Sequence, residues 1–126
     1  MSAKGRLEPS AEHPITIEPN PKRVVVRVGD QVVADTRDAV TLREAEYRPV
    51  HYIPMADVDE ALLQRTDHTS YCPFKGDATY FSVPAGGDKA QNAVWEYLDP
   101  FPAVAEIEGR VAFYPDRVDA VEELDD

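Results

Sequence analysis

Among the 126 residues there is one cysteine, Cys72. A disulfide within the chain is therefore impossible, and a lone thiol suits a reducing cytoplasm. Three histidines accompany it, His13, His51 and His68. That set is too small and too scattered for the four close Cys or His ligands of a structural zinc site, so no metal and no cofactor is expected. No apolar run approaches the roughly 18 residues of a spanning helix. The polar opening Met1-Ser-Ala-Lys-Gly-Arg also lacks the apolar stretch of a secretory signal. Basic residues are few as well: 13 Lys+Arg stand against 24 Asp+Glu, a net charge of −11. That balance disfavours nucleic acid and anionic membrane as partners. The expectation is a soluble, cytoplasmic, acidic protein.

The length predicts one domain with a core able to form without staples. Residues 1–12 contain few large apolar groups and read as a flexible lead-in, with a folded domain over 13–121. Six acidic residues lie between Asp116 and Asp126, so 122–126 read as an acidic tail. Eleven prolines cut the chain into pieces too short for long helices.

Those pieces alternate as strands do. Lys22-Arg-Val-Val-Val-Arg-Val28 places Val24, Val26 and Val28 on one face, and Arg23 and Arg27 on the other. Gly29-Asp30 offers a tight turn before Gln31-Val-Val-Ala-Asp35 returns, which makes a hairpin. Further strands are predicted at Val40 to Glu44, Val50 to Ile53, Asp77 to Val83, Ala93 to Leu98, Gly109 to Tyr114 and Val118 to Val121. Such a series predicts an all-β domain, an antiparallel meander around one core. One or two short helices interrupt it. Asp57-Val-Asp-Glu60 has the form of a capping box, with Val58 and Leu62 then facing the core, and a second helical turn follows Pro102.

Chemistry concentrates in Thr69-Ser-Tyr-Cys-Pro-Phe-Lys-Gly76, read as a loop between strands. Cys72 is a candidate nucleophile if Lys75 or His68 activates it; the competing reading is a small buried hydrophobe between Tyr71 and Phe74. Lys75 beside Gly76 suits a phosphate or carboxylate, although the order Gly-x-x-x-x-Gly-Lys-Ser/Thr of a phosphate loop is absent. Asp57 and Asp59 resemble a magnesium-binding pair, against which stands a capping role for Asp57. Rings recur at alternating positions, Trp95 and Tyr97 sharing one side of a strand, with Tyr80 and Tyr52 on others. They form either the walls of a small-molecule cleft or core aromatics.

Taken with His13-Pro-Ile-Thr, Pro21-Lys-Arg-Val-Val-Val, Val33-Ala-Asp35, Tyr52-Ile-Pro-Met-Ala-Asp57, Trp95-Glu-Tyr97 before Pro100, and Val111-Ala-Phe-Tyr114, these residues resemble the DUF427 family of small, mostly bacterial domains. The resemblance runs from His13 to about Val121. It implies curved antiparallel sheets enclosing a cleft, similar to β-tent folds. Many β-tent relatives hold zinc through cysteine pairs that this chain lacks, so that chemistry does not carry over. The family has a loose association with nucleotidyltransferase. Its motif falls on Tyr52, Asp57, Thr69, Cys72, Lys75, Tyr80, Trp95 and Tyr97.

The resulting expectation is a small-molecule-binding domain. Tyr52, Tyr80, Trp95 and Tyr97 wall its cleft, and Lys75 and Thr69 orient a polar or anionic ligand. An enzyme using Cys72, Lys75 or Asp57 is the alternative, and a protein-interaction module with a sheet edge or the acidic end as its surface is another. Nothing in the sequence fixes the oligomeric state.

Overall fold

A computed structural model describes residues 5–125. The hairpin forms as its local chemistry dictates: β2 (Arg23–Val28) turns through Gly29, at φ +60°, and Asp30 into β3 (Gln31–Thr36). Val24, Val26 and Val28 are sealed from solvent on one face. On the other, Arg23 pairs with Asp35 at 2.7 Å and Arg27 with Glu122 at 2.8 Å. Val25 shares that second face with the two arginines yet is also buried, as a central strand flanked by long side chains requires.

The remaining strands are β1 (Ile15–Asn20), β4 (Ala39–Glu44), β5 (Val50–Pro54), β6 (Gln64–Cys72), β7 (Gly76–Ser82), β8 (Val94–Tyr97), β9 (Arg110–Phe113) and β10 (Ala120–Leu124). They form two antiparallel sheets, one of seven strands in the order β1-β4-β5-β9-β8-β7-β6 and one of three in the order β10-β2-β3. The all-β expectation holds, and the single meander gives way to this division. The β2–β3 hairpin leaves the large sheet between β1 and β4. The chain then runs to the far edge at β6 and works back through β7 and β8 to lay β9 beside β5.

Period-two alternation splits the interior the same way. Ile53, Phe81, Val94, Val111 and Phe113 point to one face of the large sheet and pack with the β2–β3 valines. Their neighbours Tyr52, Tyr80, Tyr97 and Ala112 point to the opposite face and form a second cluster with Val40 and Leu42. A 3-10 segment, Pro102–Ile107, covers that cluster with Val104 and Ile107, both fully buried. At about 1.5–3 kcal/mol for each large apolar side chain, both faces contribute substantially to stability.

Three local readings change. Thr69 to Cys72 lie in β6 rather than a loop, and only Pro73, Phe74 and Lys75 form the turn to β7. The acidic stretch read as a tail runs, from Ala120 to Leu124, as β10 along β2. Asp57-Val-Asp-Glu60 does not open a helix. Val58 is extended and bridges Ala34, which splits the segment into single turns at Met55–Asp57 and Glu60–Leu62. Asp59 is the residue that caps, accepting from the Ala61 amide at 3.2 Å. Among the described residues no helix is long and apolar enough to cross a membrane. Of the lead-in over 1–12, residues 1–4 lie outside the described part, while the Leu7 amide donates to the Pro73 carbonyl at 2.9 Å.

Candidate functional site

The face of the large sheet turned away from the β2–β3 hairpin contains a hollow of about 180 Å³. Its wall follows from strand parity. Tyr52 comes from β5, Tyr80 from β7, Trp95 and Tyr97 from β8, and Tyr80 lies directly across from Trp95 in the β7–β8 register. The rings act as both core and wall: Tyr52 is 1% exposed and Tyr97 7%, yet both line the hollow. The Trp95 indole N–H donates to the Tyr52 hydroxyl at 3.2 Å, the two rings meeting edge to face at 6.3 Å. Tyr114 closes on the other side of Trp95, at 4.5 Å between centroids.

Burial holds the phenols of Tyr52, Tyr97 and Tyr114 protonated. It pushes Tyr52 and Tyr97 well above the ordinary range, and burial together with the Tyr80 contact pushes Tyr114 up to about 12. A neutral phenol can donate to a guest. The Tyr80 hydroxyl shares a hydrogen bond with Ser70 at 2.8 Å, whereas Tyr97 makes no side-chain hydrogen bond among the described residues.

Lys75 reaches the same hollow from the β6–β7 turn, where its amide bonds the Cys72 carbonyl at 3.1 Å and Gly76 takes φ +115°. Its ammonium is buried and donates to Glu44 Oε1. Glu44 Oε2 receives His13 Nε2 at 2.7 Å, and the His13 ring stacks on Phe74 at 4.0 Å. Burial alone would raise the Glu44 carboxyl. The hydrogen bonds from Lys75 and His13 outweigh it and hold the group below the usual carboxylate range. Cys72 Sγ lies 3.7 Å from Lys75 Nζ. Lys75 is therefore a charge already matched, and an anionic guest would compete with Glu44 for it.

Five of the six residues expected to bind a ligand, Tyr52, Lys75, Tyr80, Trp95 and Tyr97, line this one hollow. The sixth, Thr69, is exposed on the edge strand β6 opposite Thr79, outside the lining. Asp57 also lies outside it, accepting from the Thr36 hydroxyl at 2.6 Å. His68 touches Tyr80 edge-on at 4.5 Å. Among the described residues no three His, Cys, Asp or Glu side chains gather as metal ligands do.

Sequence reasoning overlooked Glu44, Arg48 and Tyr114 as lining residues. Glu44 left a signal: Val40 and Leu42 precede it at two-residue spacing, so it is a carboxylate on an apolar strand face. Arg48, in the β4–β5 turn, left none. Tyr47, Arg48, Val50, Trp95 and Tyr114 also line an adjoining groove of about 370 Å³, so the two spaces share a wall.

Compared with known proteins, residues 16–124 match the profile described as a domain of unknown function (DUF427). No curated protein matches the chain.

Proposed function

The chain belongs to the DUF427 family, whose function is unknown, and we propose that it is a small-molecule-binding domain whose guest sits in the hollow between the Trp95 and Tyr97 wall and the Lys75 turn. The observation that supports this reading is convergence. Residues from β5, β7, β8 and the β6–β7 turn, distant in sequence, meet on one concavity with flat apolar sides and a few polar groups, the composition of a ligand site. Together with the adjoining groove the space suits a small organic molecule better than a single ion. The free thiol of Cys72 fits a reducing compartment, and we place the domain in the cytoplasm.

A thermal-shift screen of nucleotides, sugar phosphates and small organic acids tests the reading. A ligand selective for the native state at 100 times its Kd adds about 2.7 kcal/mol, a rise of several degrees for a domain of this size. A true guest loses most of that effect in Tyr97→Phe or Trp95→Leu. Hits indifferent to both variants would bind elsewhere, and the hollow would lose its role.

A second reading is favoured by one distance, the 3.7 Å from Cys72 Sγ to Lys75 Nζ, since a neighbouring cation supports a thiolate nucleophile. Iodoacetamide labelling decides it. Native protein modified at Cys72 faster than unfolded protein supports thiol chemistry; labelling only after denaturation leaves Cys72 a packing residue.

A further inference from the structure

The cations of this acidic chain are mostly spoken for. Arg23, Arg27, Arg65, Lys75, Lys89 and Arg110 each have a carboxylate at ion-pair distance. Arg48 has neither an ion pair nor a side-chain hydrogen bond among the described residues, despite 24 acidic residues in the chain. It is also placed where a guest would meet it, on the rim common to the hollow and the adjoining groove.

That placement is fixed by the β4–β5 turn. Ala45 takes φ +47° and its amide donates to the Pro14 carbonyl at 2.8 Å, while the Tyr47 amide donates back to the Glu44 carbonyl at 2.9 Å. Pro49 then confines Arg48 to extended backbone. Beside it Tyr47 leaves 68% of its surface exposed, a ring with no core duty at the mouth of the hollow. No carboxylate answers Arg48 at ion-pair distance among the described residues: Glu44 is held by Lys75 and His13, and neither Glu46 in the same turn nor Asp116, exposed on the groove, pairs with it.

We infer that Arg48 is the anion-binding, specificity-determining residue of the hollow, and that the guest is a flat-ringed small molecule carrying one carboxylate or phosphate. This rests on the hollow being the binding site. The ring lies against Trp95 and Tyr114, which face both spaces, and the guanidinium fork takes two oxygens of the anion, a geometry that an ammonium matches less well. Lys75, matched by Glu44, contributes shape rather than free charge.

Trp95 is the one tryptophan, so its indole N–H resonance reports on the hollow without ambiguity. The full chain, labelled with nitrogen-15, is titrated with 1-naphthyl phosphate, 1-naphthoate and the neutral 1-naphthamide. Both anions are expected to shift the indole resonance saturably, and Arg48→Gln to weaken them by roughly tenfold or more while leaving the amide unchanged. Binding by only one anion identifies whether phosphate or carboxylate is preferred. Equal affinity of parent and Arg48→Gln for the acids, or an amide that binds as tightly as they do, overturns the assignment and leaves the hollow standing. No saturable shift with any of the three overturns both.

Discussion

Glu44 and Lys75, 31 residues apart, close on each other at the base of an aromatic hollow, with side chains only 12% and 10% exposed. Two nearly buried charges of opposite sign have lost most of their hydration, and each depends on the other to offset that loss. Lys75→Met or Glu44→Gln alone is expected to cost about 3 kcal/mol, because each leaves an uncompensated group. The double variant should cost clearly less than the sum of the two. Urea denaturation of the four proteins measures the coupling, and additive losses would show that the pair does not act as a unit.

The same carboxylate makes stability depend on acid. Its folded-state pKa lies below the unfolded value of 4.5, so its contribution is complete above that value and is lost as pH falls through the folded one. Between about pH 6 and pH 3 the parent should therefore lose more stability than Glu44→Gln. Asp35 and Glu123 also have lowered pKa values and give both proteins a common acid slope, which the comparison cancels. Parallel curves would place the pH dependence elsewhere.

Asp57 carries the motif but contacts Thr36, not the hollow. Asp57→Ala is expected to cost about 1–2 kcal/mol through the lost charge-assisted hydrogen bond. It should leave the Trp95 indole resonance and any ligand affinity as they were. Loss of binding without loss of stability would give Asp57 a role in recognition instead.

Gly86 is needed for closeness rather than for its backbone angle. A methyl group there would lie 2.6 Å from the Ala90 Cβ and 2.8 Å from Val28 Cγ1. Gly86→Ala is expected to destabilise by about 1–3 kcal/mol, more than the gain from a stiffer unfolded chain. Adding Ala90→Gly should recover part of the loss by clearing the nearer contact. Thermal melts of the single and double variants decide it.

What the sequence shows and what it hides divide along a physical line. The β2–β3 hairpin was legible because its determinants are local: alternating valines and a Gly-Asp turn. The edge strand β6 was not, since Gln64 to Ser70 is almost wholly exposed and carries no apolar alternation to betray a strand. At β10 the acidic character that suggested a tail is Glu122 pairing outward with Arg27 and Glu123 bonding Asn20. Asp57-Val-Asp-Glu60 is a sound helix start in isolation; the Ala34–Val58 bridge, a tertiary contact, overrides it. For the site, the shared side of Trp95 and Tyr97 could be read from spacing alone. The partner of Lys75 could not, because two dozen acidic residues offered themselves and only the β1–β4 pairing brings His13 and Glu44 together.

Strand β8 interleaves two jobs residue by residue: Val94 belongs to the core beneath the small sheet, Trp95 and Tyr97 to the opposite face. Losing a single residue before Trp95 would turn this strip over, sending indole and phenol into the hydrophobic interior and valine toward the hollow. The wall of the hollow and the core thus share one reading frame along β8, and a chain that has misaligned this strand forfeits both at once.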